Sequence, residues 1–204
     1  HIYLKRRCEH EALSDANITT TMNYLKAQHN IIDTAVLSKV GPKLPAAGQN
    51  DATIGTLSWS SPGFILVDDG SYTSANAGAG GTTNYLRATE MAMSFSGTPK
   101  GIVVDVDKRI SSGTGDHTVA DGTVKMRKAD GTWAGDNKAA SGNWPTTAAY
   151  TSYGNPDDLW GLTWAAADFN DVDFGTGISA IISGTSGTKS ANVDAIKITV
   201  YYLP

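Results

Sequence analysis

The residues best suited to chemistry are carboxylates in close pairs: Asp105/Asp107, Asp157/Asp158 and Asp171/Asp173. Hydrolysing a glycoside takes two carboxyls about 5 to 9 Å apart, one on each side of the bond. Residues i and i+2 of a strand share a face at about 6 to 7 Å, so Asp105/Asp107 meets the spacing. Lys108 and Arg109 follow at once, and two cations beside two carboxylates read as a neutralised, exposed sheet face. A second group, Asp168, Asn170, Asp171 and Asp173, offers four side-chain oxygens in one short loop, the hard ligands that calcium takes. The same residue types cap turns through nearby backbone N–H groups, and the full EF-hand pattern is missing. Turn capping is the plainer reading there and at Asp68-Asp69-Gly70, and no cofactor is expected.

Nucleophilic catalysis needs a base beside a Ser, Thr or Cys. The histidines are His1, His10, His29 and His117. Asp116-His117 makes no dyad, because adjacent strand residues point to opposite faces. Gly78-Ala79-Gly80-Gly81 lacks the Lys and following helix of a phosphate loop. Aromatic rings carry the remaining chemistry, since they stack on sugars or fill interfaces. Of the five tryptophans, Trp59 and Trp164 sit in strand-like context and are expected in the core. Trp133 and Trp144 lie beside turns and, with Tyr150 and Tyr153, are candidates for a ligand surface or a subunit interface.

The elements that must hold these groups are strands. Period-two alternation marks Ile102–Asp107, Gly177–Ile182 and Ala191–Tyr202. In the last of these the parity slips between Ala195 and Ile196, which suggests a bulge or a strand buried on both faces. Asp121-Gly122 and Asp130-Gly131 read as hairpin turns, Phe64–Val67 as a strand, and Ala165–Asn170 as a short helical turn. Strands about every ten residues, with 22 glycines for the turns, indicate an antiparallel sandwich or jelly roll. The fold class expected is mainly β, with an N-terminal helical arm.

That arm runs from Ser14 to Val40, stopped by Gly41-Pro42. Its apolar positions Ile18, Met22, Leu25, Ile32 and Val36, with His29 between, are spaced 4, 3, 4, 3, 4, the a/d alternation of a coiled coil. The stripe either packs on the chain's own sandwich or joins copies of the chain, a trimer being favoured. Leu44–Asp51 reads as a linker, which divides the chain into an arm, 1–48, and a sandwich domain, 49–204.

Totals exclude several functions. The formal net charge is −4, and the one basic run, Lys5-Arg6-Arg7, is short, so a nucleic-acid groove is not expected. A single cysteine, Cys8, rules out an intramolecular disulfide. No apolar run approaches the roughly 18 residues of a membrane span.

The order Leu159-Trp160-Gly161-Leu162-Thr163-Trp164, Ala167-Asp168-Phe169-Asn170-Asp171, Phe174-Gly175 and Val193–Tyr202 carries more than composition. With Leu57-Ser58-Trp59, Asp68–Tyr72 and Thr83–Leu86, it resembles a jelly-roll-like β-sandwich domain of phage structural proteins. The resemblance covers about three quarters of the chain, from residue 52 onward. It implies a non-catalytic virion component, a head decoration, fibre or tail protein, located in the virion with other capsid or tail proteins as partners. A carbohydrate-binding or host-adhesion module, contacting a host surface glycan, is the alternative.

Overall fold

The computed structural model describes residues 36–76 and 78–204. The stripe residues Ile18, Met22, Leu25, His29 and Ile32 lie outside the described residues. Leu37–Pro204 forms one compact unit. Among the described residues its strands are β1 (Ser38–Lys43), β2 (Ala47–Asp51), β3 (Thr73–Ala75), β4 (Gly81–Thr82), β5 (Tyr85–Thr89) and β6 (Thr98–Ile110). They continue with β7 (Thr118–Arg127), β8 (Trp133–Ala134), β9 (Ala149–Asn155), β10 (Gly175–Ser183) and β11 (Ala191–Leu203). No helix of the described residues is long and apolar enough to cross a membrane.

Two antiparallel sheets result. The first has the order β1-β11-β6-β9 with β3 beside β11, and the second β2-β5-β10-β7-β8 with β4 beside β10. The ladder pairs are nested: β1 with β11, β5 with β10, β6 with β9, and β7 with β8. The two arms of one long hairpin therefore lie side by side and alternate between the sheets, which is the jelly roll. One face of each strand fills the interior. Ile102, Val104 and Val106 of β6 and Ile196, Ile198 and Val200 of β11 meet Val124 and Met126 of β7 and Ile178, Ala180 and Ile182 of β10. At one end Trp164, Phe169 and Phe174 stack edge to face, with Phe169 and Phe174 centroids 4.7 Å apart. Residues that carried the phage resemblance thus form part of the sandwich's own aromatic core.

Several expectations change. The helical arm cannot reach Val40, because Ser38, Lys39 and Val40 pair with Tyr202, Tyr201 and Val200. Nor is 44–51 a linker, because Ala47–Asp51 pairs with Thr89–Tyr85, and the structural unit begins at Leu37 rather than at 49. An edge strand draws on backbone hydrogen bonds and needs little apolar alternation, so β2 left no trace in composition. Its Gly48 is required by close approach: a Cβ there would lie 2.3 Å from the Pro62 carbonyl oxygen. Pro62–Leu66 is a 3-10 helix and not a strand, whereas the helical turn expected at Ala165–Asn170 is found as a 3-10 helix at Ala166–Asn170. Asp130-Gly131 does turn the chain between β7 and β8, with Gly131 N–H donating to the Lys128 carbonyl. Asp121-Gly122 does not turn it: β7 runs through, and the register shifts opposite Ser179/Ala180. Glycine there absorbs a bulge.

Candidate functional site

Two clusters of ionisable side chains stand out, one inside the sandwich and one on the outer face of the first sheet. On β6 the inward positions are Ile102, Val104, Val106, Lys108 and Ile110, so strand parity carries a lysine into the core. Lys108 is 3% exposed. Its Nζ donates to Asp121 Oδ1 of β7 at 2.5 Å and to the Tyr153 hydroxyl of β9. Trp144 Nε1–H donates to the same Asp121 oxygen at 2.7 Å. Asp121 Oδ2 accepts from Tyr153 O–H at 2.8 Å and from the Ala140 N–H at 2.9 Å. Burial pulls the Lys108 ammonium below its ordinary value, with Asp121 opposing. Burial and then Asp121 push the Tyr153 hydroxyl far up. Strong shifts of this kind flag functional sites, but this cluster is closed. The adjoining groove, about 220 Å³, is lined by Trp144, His117, Asn143 and Lys189 among others, and not by Lys108, Asp121 or Tyr153.

The outer face carries Asp105 and Asp107 of β6, Tyr150 and Ser152 of β9 and Lys197 of β11. Asp105 pairs across to Ser152 and Lys197, and Asp107 to Tyr150. Asp105 and Asp107 share this face as expected. Lys108 does not neutralise them, since it points the other way, whereas Arg109, over the Tyr72 ring at 4.2 Å, and Lys197 act on Asp107 through their charge. The Ser152 hydroxyl donates to Asp105. Asp68, in the loop after the 3-10 helix, accepts from Lys197 Nζ and from Tyr150 O–H, both at 2.7 Å, on one oxygen. These bonds hold Asp68 below its ordinary value. Burial, with Asp68 close by, pushes Tyr150 up to about 12. Pro42, Asp105, Tyr150 and Lys197 line an open groove of about 310 Å³.

The aromatic candidates separate. Trp144 and Tyr153 are 4% and 3% exposed, so they are core groups tied to Asp121 and not a ligand surface. Their rings pack in the hydrophobic core, and their polar atoms, Trp144 Nε1–H and Tyr153 O–H, both donate to Asp121. Trp133 is half-buried on the outer face of the second sheet. It stacks on Tyr85 at 4.1 Å and its Nε1–H donates to Asp51 at 3.2 Å. Its ring rests on Gly177, where a Cβ would lie 2.4 Å away. Tyr150 is 43% exposed. Trp59 and Trp164 are buried, as expected.

The Asp168–Asp173 loop caps turns. Asp168 accepts from Ala165 N–H and Asp171 from Asp173 N–H, both at 2.8 Å, and Asp173 accepts from Arg127 at 3.2 Å. Asn170 ends the 3-10 helix. Asp116 accepts from the Thr185 and Ser186 N–H groups, and His117 Nδ1 lies 3.2 Å from the Lys189 carbonyl, so the two form no dyad. Sequence reasoning missed Lys108 and Asp121. The signal for Lys108 was its parity with Val104 and Val106.

The sequence matches no family model, and no curated protein matches it. Solved structures do resemble it. The CBM22-1 xylan-binding domain of Xyn10C from Paenibacillus barcinonensis is 9% identical with a TM-score of 0.37, over 78% of this chain and 89% of that one. Infectious bursal disease virus structures of the Gx and Gt strains are 7% and 10% identical, with TM-scores of 0.31 and 0.30. They cover 82% and 84% of this chain, which spans 33% and 38% of those viral chains.

Proposed function

We propose that the protein is a non-catalytic virion structural component, a head decoration, fibre or tail protein. It assembles with other capsid or tail proteins and displays its sandwich on the particle. The observation that carries this reading is the sealed interior. Lys108, Asp121 and Tyr153, convergent ionisable groups in the interior, close on one another and do not line the adjoining groove. Catalysis needs such groups where a substrate can touch them. The jelly-roll order supports the reading, since viral shells and lectins both use it, and the phage resemblance rests on residues that build this core. Assembly proceeds through the apolar stripe Ile18, Met22, Leu25, His29, Ile32 and Val36, with a trimer favoured. Val36, the one described position of the stripe, is 82% exposed. Many copies then supply avidity.

Light scattering on the full chain and on a Leu37–Pro204 fragment tests the assembly step. A trimeric full chain and a monomeric fragment are expected. A monomeric full chain contradicts it.

One observation favours the second reading, a carbohydrate-binding or adhesion module. The exposed Tyr150 ring borders a groove that also offers Asp105 and Lys197, an apolar plane with polar neighbours of the kind that orient a sugar. Lys197 Nζ lies 4.6 Å from the ring centroid. Glycan-array binding that Tyr150→Ala abolishes would establish this reading over the first.

A further inference from the structure

β11 carries a bulge where three acidic side chains meet. Val193 pairs with Lys108 and Ala195 with Asp107, so Asp194 is the extra residue without a partner across the ladder. Bulges re-aim side chains, and this one turns Asp194 toward Asp107 of β6 and Asp68 of the loop after the 3-10 helix. One carboxylate oxygen from each lies within 4.8 Å of the other two. Asp194 is 2% exposed. Its Oδ2 accepts from the Gly70 N–H at 2.9 Å, while its Oδ1 is buried without a hydrogen-bond partner. Asp107 Oδ1 is likewise buried and unpartnered. Burying a charged oxygen without a donor is costly, and here two such oxygens belong to one cluster of three carboxylates. Lys197 engages Asp68 through the oxygen that also takes Tyr150, and reaches neither orphan.

We propose that Asp68, Asp107 and Asp194 form a calcium site that ties the loop at Asp68–Gly70 to β6 and β11. Calcium binds oxygen at about 2.3–2.6 Å, so ligands on opposite sides of the ion stand up to about 5 Å apart. The observed spacing fits within that span. Magnesium needs a tighter octahedron at about 2.0–2.1 Å and gives up its water reluctantly, so it fits less well. Asp68 is at the surface and leaves a path for the ion and for waters to complete its shell. The inference is independent of the virion reading.

The test is calorimetric titration of CaCl2 into the chelator-treated full chain, with melting followed in parallel. One saturable site and a higher Tm with calcium are expected, with magnesium giving a smaller shift at equal concentration. Asp194→Asn and Asp107→Asn, each checked for retained β-sheet by circular dichroism, should weaken calcium at least tenfold and lose the Tm shift. Absence of both heat and Tm shift in the unmodified chain overturns the proposal, and so does calcium binding that survives both substitutions.

Discussion

The interior and outer acidic clusters lie on opposite faces of β6, one residue apart, and reach opposite solutions. Lys108 carries a charge into the sandwich and finds Asp121, whose two oxygens accept four hydrogen bonds, from Lys108, Trp144, Tyr153 and the Ala140 N–H. Asp107, its neighbour, faces Asp194 and Asp68, where two buried oxygens have no donor. Burial alone therefore does not make a site. In the inner cluster donors match the acceptors, which makes it structural, whereas the outer one brings two unpartnered oxygens into a cluster of three carboxylates.

The largest blow to this contrast is Asp121→Ala. It leaves Lys108 charged and unpaired in the core, and should cost about 3–5 kcal/mol in denaturant unfolding. A loss below about 1 kcal/mol would mean the interior pair contributes nothing. Next comes Tyr153→Phe, which removes one donor to Asp121 and should cost about 1–2 kcal/mol by the same assay.

The outer cluster should respond with the opposite sign. With chelator present at pH 7, Asp107→Asn removes a like charge and should raise stability, the opposite sign to Asp121→Ala. Asp107 and Asp194 titrate above 3.8 in the folded chain, so their ionised forms penalise the fold at neutral pH. That penalty fades as the pH falls through the raised values and is gone below 3.8. The advantage of Asp107→Asn should therefore shrink along the same path, as urea unfolding at stepped pH would show. The smallest effect belongs to Tyr150→Phe. It deletes one bond to Asp68 at the exposed rim, where Lys197 remains, and should change stability by less than about 0.5 kcal/mol.

Much of the fold was legible because half-buried strands write their geometry as alternation. Ile102–Asp107 and Ala191–Tyr202 announced β6 and β11, and the parity slip near Ala195 announced the bulge, which falls at Asp194. Edge strands were not legible. Ser38–Val40 continued a helical pattern, and Ala47–Asp51 had the composition of a linker, since backbone pairing leaves no signature in side chains. Asp121-Gly122 imitated a hairpin because the residues that suit a turn also suit a bulge. The candidate sites were less readable still. Asp68, Asp107 and Asp194 are far apart in the chain: the bulge in β11 brings Asp194 to Asp107, and Asp68 reaches them from a loop, whereas Trp144 and Tyr153 look like surface aromatics until their common partner is known.

The central claim, that this sandwich serves assembly on a particle and not catalysis, is tested most directly by quantitative mass spectrometry of purified virus particles from the source of this sequence. The account predicts the chain among the particle proteins, in many copies and at a fixed ratio to the shell. Its absence from purified particles, with the chain present in the same lysate, would contradict it.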